Sequence, residues 1–564
     1  MIVYTLRVSH AHRKFLDIEA VIPTNGADQL TLQLPVWRPG RYERGQFARN
    51  IQRWKAFAAD GRPLNARKVS HSQWTVDCAG LDSIEVHYNY HAAELNAGST
   101  WVDEHQWYVN PVNCFVYCLD RMDEPAEIRL NAPNNWVLAS GLPNDGYTRL
   151  TAKNIQTLMD GPFIAADALW HRSYEVNAHR FHIWIRGKHR FDETKLLADF
   201  KAFTEAQIRA FGYFPVDEYH FLFQLPDFKV RHGVEHENST VIALGPAETV
   251  STPEGYLELL AISSHELYHT WNVKSLRPAE MLPYDFTTEN YSRQGYITEG
   301  VTTYMGDLFL LKAKVIDVQT YLKLFADDVM RHLHNPGRFN MSVADSSFDT
   351  WLDGYSTGIP ARKVSIYTEG CLNAFMADVT LLEQGNSLDA VMEEMCQKFA
   401  LQNKGYTDGE YDQLVIDSSN GLAQPLFENL VHGTEDYVPH LKTAFEKLGL
   451  GISLEVVIGF AGMTGAAGQL ERGGLKLSLV WPDSPADKAG LAAGDLVTVV
   501  NAIHVDEHLD ARLRLENPSL LNIQFVRNRS AHACTLHPDL KYFPVVKLTA
   551  PEQPNTLFSK WIWR

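Results

Sequence analysis

The chain has 564 residues, 45% of them apolar and 11% aromatic, too long for one core, which predicts about three or four folded units. A formal net charge of -17 at pH 7 argues against nucleic acid as a partner, and no run of 18 apolar residues exists to span a membrane. The opening residues, MIVYTLRVSHAHRKF, alternate like a strand and lack the basic segment, apolar run and cleavage site of a secretory signal; with only six cysteines, the expected compartment is the cytoplasm.

Residues 1–165 read as an all-β domain. LTLQLPVW, WTVDC, SIEVHYNYHA and AEIRL are short alternating runs separated by Gly, Pro, Asn and Asp turns. Cys114 and Cys118 have the spacing of a CxxxC metal or redox pair, but CFVYC reads as strand, and buried free thiols fit it better. More strand follows in YEVNAHRFHIWIRG, and from Asp192 the texture turns helical. Apolar residues at helical spacing then predict helices near 300–316, 319–333, 367–381, 386–403 and 434–448, so that 166–447 forms an α+β domain. At 448 the character changes again. GlyLeuGlyIle at 449–452 and SerProAlaAspLysAlaGlyLeuAlaAlaGlyAsp at 484–495 predict a separate compact module over 448–545, with a short helix, a Gly-Asp turn and a strand. The glycine-rich stretch 461–474 reads as a surface loop, and 546–564 as a C-terminal tail.

Chemistry concentrates at His265-Glu266-Leu267-Tyr268-His269. Residues four apart share one helix face, so both imidazoles can reach one ion, and Glu266 between them can hold a water instead of ligating. Ser251 or Thr252 is the expected cap, with Pro253 in the first turn. A catalytic zinc needs a third protein ligand and one open position. Glu299, 30 positions after His269 and flanked by apolar Ile297, Val301 and Tyr304, is the better candidate. Glu289 is a rival set among loop residues, and Cys371 lies far off in sequence.

HisGluLeuTyrHisThrTrpAsnValLysSerLeuArgPro, followed by ThrGluGlyValThrThrTyr, resembles the glycyl aminopeptidase family. These are gluzincin metallopeptidases with a thermolysin-like catalytic domain and a PDZ domain. The family's W-N-V-K-x-x-x-P extension is present as Trp271, Asn272, Val273, Lys274 and Pro278. ProValTrpArgProGlyArgTyrGlu at 35–43 resembles its N-terminal signature, and LeuMetAspGlyPro at 158–162 the joining segment.

The resemblance implies further roles. HisGlyValGluHis at 232–236, with Gly233 and Glu235, corresponds to the segment whose glutamate holds a substrate's free α-amine. Tyr367, in a Y-x-x-G helix, corresponds to the tyrosine that donates to the oxyanion; Glu369 stands where lysine is usual, and Tyr355 is the alternative donor. The C-terminal module resembles a PDZ domain, whose groove would take a peptide C-terminus or strand.

The expected protein is therefore multidomain, with an N-terminal all-β domain, a thermolysin-like zinc peptidase domain and a PDZ-like domain. Its expected activity is zinc-dependent removal of N-terminal residues from unblocked peptides, with a preference for Gly or Ala implied by the family. One Zn2+ would be held by His265, His269 and Glu299, with Glu266 as base. A zinc endopeptidase and a catalytically silent peptide-binding scaffold are the alternatives.

Overall fold

The computed structural model describes residues 1–356 and 358–563, apart from the side chain of Trp563. The N-terminal region is built from alternation. In Phe15–Pro23 and Ser83–His91 every second residue turns inward (Leu16, Ile18, Ala20, Ile22; Ile84, Val86, Tyr88, Tyr90), while the others face out. These two strands pair antiparallel at the centre of a six-stranded sheet. Two four-stranded sheets complete this region, and one apolar core spans all three. The CFVYC segment is only partly strand: Pro111–Cys114 is a helical turn and Tyr117–Cys118 a short strand on Gln29–Gln33. All six cysteines are free.

The second core is a five-stranded mixed sheet in the order Trp170–Val176, His179–Gly187, Glu218–Leu225, Ser239–Gly245, Val230–Glu235. Glu193–Phe211 is the helix that lets His179–Gly187 and Glu218–Leu225 run parallel, as such crossovers require. Phe181, Ile183, Phe221 and Phe223 on the inner face pack against the helices that follow. The outer face is not left to solvent. Leu222, Val234, Val241 and Ala243 pack on Tyr108, Ala139, Ile164 and Ala166, so the N-terminal region docks across the back of this sheet. Val230–Glu235 lies at the sheet edge, beside the cleft.

The predicted helices are present as Thr302–Lys312, Val318–His334, Ile366–Glu383, Leu388–Lys398 and Tyr437–Leu448. The π-helical turn Tyr296–Val301 that leads into Thr302–Lys312 crosses Ile366–Glu383 at van der Waals contact, because a Cβ on either Gly300 or Gly370 would overlap the other segment's backbone. Substituting either would push apart the segments that carry Glu299 and Tyr367.

A third, smaller core lies within residues 460–536. Here the expectation of a loop at 461–474 is overturned. Phe460–Thr464 is helical and Ala466–Glu471 is a strand paired with Gly474–Val480. Phe460, Met463 and Ala466 are buried, so the glycines serve a tight helix stop (Gly465, φ +76°) and a hairpin turn (Gly473, φ +100°) instead of an open loop. The expected short helix is Pro485–Lys488, capped by Ser484, and it leads into the strand Leu496–Val500. Gly449 closes Tyr437–Leu448 in the left-handed conformation, and Gly451–Glu455 pairs with Val545–Thr549 apart from the module's main sheet. Residues 546–563 return to the second core: Phe558, Trp561 and Ile562 are buried there, and the Trp561 indole donates to the Tyr304 hydroxyl at 2.8 Å.

The joining segment has a definite physical role. Asp160 accepts from the Lys274 ammonium at 2.9 Å, from His236 Nδ1 at 3.1 Å and from the Glu237 amide at 2.7 Å. Burial alone would raise the Asp160 pKa, but Lys274 and His236 outweigh it and hold the carboxyl well below its usual range. Removing one partner of a buried pair leaves the other uncompensated, so Lys274→Met should lower unfolding free energy by about 3–5 kcal/mol in urea titrations at pH 7. Because the folded pKa of Asp160 is depressed, the pair's contribution is complete above the ordinary carboxylate pKa of about 4 and is lost as pH falls through and below it. The gap between parent and variant should therefore narrow in acid; a gap of under 1 kcal/mol at pH 7 would remove this role.

Candidate metal centre and cleft

The metal-site helix is Pro253–Tyr268, capped by Thr252, whose hydroxyl accepts from the Gly255 amide at 3.2 Å. His265 and His269 sit one turn apart at its end, with His269 as the C-cap residue. The His269 Nδ1–H donates to the Asn272 carbonyl at 2.8 Å, so its Nε2 lone pair points inward. Asn272 is itself fixed by donating to the Ile297 carbonyl at 2.9 Å and to Thr302 Oγ1 at 3.1 Å. The neighbouring Trp271 indole donates to the Tyr213 carbonyl at 3.0 Å. Three residues of the WNVK run thus have a specific contact: Trp271 and Asn272 brace the helix end, and Lys274 reaches Asp160.

Glu299 enters from a π-helical turn, Tyr296–Val301, that widens into Thr302–Lys312. Such turns often mark functional positions because they re-aim a side chain. Its Oε2 lies 3.4 Å from His269 Nε2 and 3.8 Å from His265 Nε2, and the two Nε2 atoms face each other at 3.0 Å. A tetrahedral zinc with ligand bonds of about 2.1 Å needs its donor atoms about 3.4 Å apart. The three donors fit that requirement. The imidazole planes stand at 86°, which lets both in-plane lone pairs converge.

A second gathering of similar residues fails this test. His182, Glu218 and His220 lie on the outer sheet face, but the two histidine rings stack at 4.5 Å with only 8° between their planes. Lone pairs in parallel, displaced planes do not meet at one ion. Glu289 is also removed from contention, because it pairs with Arg44 at 3.0 Å.

Charge balance supports the same site. Glu235, Glu266 and Glu299 are 4%, 5% and 2% exposed, and Glu235 Oε1 and Glu266 Oε2 have no hydrogen-bond partner. Burial, with Glu235 and Glu299 adding to it, pushes the Glu266 carboxyl up to about 8. Burial would lower His269, but the Glu299 carboxylate overrides it and pulls the imidazole up to about 10. Burial and the neighbouring His269 drive His265 the other way, well below its ordinary value. The protons retained by this cluster are ones a divalent cation would replace.

The cleft around these groups has a volume of about 930 Å³. Glu235 ends the edge strand and shares a 4.8 Å neighbourhood with Glu266 and His269. Two glycines make room for these carboxylates: a Cβ on Gly233 would overlap Glu266 Oε1, and one on Gly40 would overlap Glu235 Oε2. The missing side chain at Gly233 thus leaves the space that the Glu266 carboxylate occupies. Tyr367 opens Ile366–Glu383 with its ring 6.4 Å from that of His265, while Tyr355 stands at the cleft mouth, 44% exposed. The departure at Glu369 has a local cause. Its carboxylate accepts from the Ser365 amide at 3.1 Å and pairs with His332 at 2.9 Å, closing the helix start that presents Tyr367.

Several contacts were not readable from sequence. Residues 36–45 of the N-terminal region reach into the cleft, anchored by Trp37, whose indole donates to the Asp285 carbonyl at 2.6 Å and packs edge-on against Trp351 at 5.1 Å. From this loop Arg38 reaches His232 Nε2 at 3.1 Å, and the Tyr42 hydroxyl donates to Glu299 Oε1 at 3.1 Å. The only signal in the sequence was the family-like ProValTrpArgProGlyArgTyrGlu itself.

The Gly233 contact is directly testable. Gly233→Ala should leave bound metal unchanged while lowering kcat about 10²-fold, because it displaces Glu266 by roughly 1 Å. Unchanged kcat, measured at equal metal content, would show that the strand gives way without cost.

Comparison with known proteins agrees with this geometry. Residues 3–167 match the Peptidase M61 N-terminal domain, and residues 258–373 match the M61 glycyl aminopeptidase family. A solved aminopeptidase N family protein from Idiomarina loihiensis is 26% identical, with all of both chains covered and a TM-score of 0.91. A zinc metallopeptidase from Deinococcus radiodurans is 14% identical over 77% of this chain and 94% of its own, with a TM-score of 0.49, too distant to carry an argument. No curated protein matches. Both domains of one peptidase family are matched in order, with the candidate metal cluster inside the second, and the chain is accordingly a zinc-dependent aminopeptidase similar to the M61 glycyl aminopeptidases.

Proposed function

We propose that the enzyme hydrolyses the first peptide bond of peptides with a free N-terminus, using one zinc held by His265, His269 and Glu299. The observation that carries this reading is Glu235, a buried carboxylate with an unpartnered oxygen at the sheet edge beside the metal ligands. Bound zinc supplies a Lewis acid for the scissile carbonyl and lowers the pKa of its water. Glu266 takes the proton of the attacking water and returns it to the leaving amine. Tyr367, deeper than Tyr355, donates its phenol O–H to the oxygen that gains charge. Glu235 accepts from the substrate ammonium and fixes which bond lies over the metal.

The crowding of Gly40 and Glu235 supports a preference for small N-terminal residues such as Gly or Ala. The edge strand, metal-site helix and glutamate-bearing helix support a thermolysin-like description of this unit. We assign residues 448–545 a PDZ-like role in holding a peptide C-terminus or strand, on the strength of the Ser484-capped helix and following strand. Six free thiols favour a cytoplasmic enzyme.

Glu235→Ala should cost roughly 30- to 1000-fold in kcat/KM on alanine anilide, the loss of a charged hydrogen bond worth about 2–4 kcal/mol. Any residual rate on the N-acetylated analogue should scarcely change. Equal losses on both substrates would mean that Glu235 supports the metal shell instead of reading the amine.

Tyr367→Phe removes only a hydroxyl, so zinc content should hold while kcat falls about 10²-fold or more. A kcat within twofold of the parent would transfer the role to Tyr355, where the same substitution gives the comparison.

A further inference from the structure

Tyr42 lies 257 positions before Glu299 and belongs to the N-terminal β-region, yet its hydroxyl donates to Glu299 Oε1 at 3.1 Å. Both side chains are buried, Tyr42 at 5% and Glu299 at 2% exposure. The other carboxylate oxygen, Oε2, is the one that faces the two imidazoles, at 3.4 and 3.8 Å. The division of labour between the oxygens is therefore complete: one is taken up by the phenol and one is directed at the metal position. Gly40 and Arg41 line the cleft, whereas Tyr42 beside them is buried with its hydroxyl turned to the carboxylate.

We infer that Tyr42 is a positioning residue for the metal site, delivered by the N-terminal region to hold Glu299 as a one-oxygen ligand. A carboxylate free to pivot can offer both oxygens to a cation, which would crowd the position that a catalytic zinc must keep open. A hydrogen bond to the second oxygen prevents that pivot and fixes the first. The loop that carries Tyr42 is built for accuracy. The Val36 amide donates to the Phe286 carbonyl at 2.9 Å, the Trp37 indole to the Asp285 carbonyl, and the Tyr42 ring packs edge-on at 6.1 Å against Trp351. Metal affinity thus depends on how the N-terminal region is docked, although that region supplies no ligand.

The inference rests on the ligand assignment above, and the experiment separates the two. Zinc dissociation constants are measured by chelator competition on the full chain for the parent, Tyr42→Phe and Glu299→Ala. Tyr42→Phe keeps the ring and its packing and loses only the donor; its zinc affinity should fall about 10- to 100-fold. Its kcat at saturating zinc should fall while KM for alanine anilide stays within twofold, since the hydroxyl is turned to the carboxylate. Glu299→Ala should lose stoichiometric zinc altogether. Retention of stoichiometric zinc by Glu299→Ala would overturn both the ligand assignment and the role of Tyr42. Loss by Glu299→Ala, with Tyr42→Phe within twofold of the parent affinity, would overturn only the role of Tyr42.

Thermal unfolding of the metal-free proteins checks folding. Should Tyr42→Phe itself destabilise the fold, a double-mutant cycle with Glu299→Gln on the metal-free proteins reads the contact without zinc. Additive effects in that cycle would overturn the inference, and non-additive effects support it.

Discussion

Three buried carboxylates gathered around two imidazoles, one buried and one partly so, are the constraint on which the rest of this enzyme depends. Glu235, Glu266 and Glu299 are each nearly inaccessible, and two of their oxygens have no protein partner. Left to itself such a carboxyl resists ionisation, as the elevated Glu266 shows, while the carboxylates around His269 favour its charged form. The surrounding backbone holds them together against that cost. Thr252 starts one helix, the π-turn aims Glu299, and glycines at 300 and 370 let two helices approach closely enough to keep Glu299 near Tyr367. Gly40 and Gly233 then leave the volume that two carboxylates occupy.

The site is also a product of two regions rather than one. The sheet that carries Glu235 buries its outer face on the N-terminal β-region. The same region sends residues 36–45 around to the cleft side, and Asp160 at its boundary is locked to Lys274 just beyond the metal-site helix. Docking is therefore held by an apolar face behind the sheet, a buried ion pair beside the helix and an aromatic anchor above the cleft. A rigid-body slip at that interface would disturb Glu299 through Tyr42 and the end of the metal-site helix through Lys274.

What could be read from the sequence follows from how local each feature is. The HELYH spacing, the Thr252 cap and the helical periodicity of 318–334 or 437–448 are statements about neighbouring residues, and the structure agrees with them. Glu299 was accessible because its apolar neighbours implied a turned-in carboxylate, although nothing local announced the π-turn. The glycine-rich run at 461–474 misled because glycine signals both loops and tight stops, and the difference lay in Phe460 and Met463 finding a core elsewhere. Tyr42 with Glu299, or Asp160 with Lys274, are pairs separated by 257 and 114 positions, and a single sequence holds no term that links them. The candidate donors and the WNVK run beside them could be named from neighbouring residues; the distant partners, Tyr42 and Asp160, could not be paired with them.

The electrostatics of the proposed complex also bear on why a free amine is read at all. On that assignment three buried carboxylates, at 235, 266 and 299, lie immediately around the metal position, against the two charges of a zinc ion. Those three carboxylates carry one negative charge more than the metal would balance, and a substrate ammonium supplies a positive charge beside them. An internal peptide segment brings polar groups but no charge, so its binding leaves that carboxylate buried and unmatched, which is costly in a low-dielectric site. Selection for the chain terminus then needs no wall to block longer substrates. On the proposed assignment the charges that would hold the metal also favour an ammonium over a neutral peptide segment, which ties recognition of the chain terminus to the metal site.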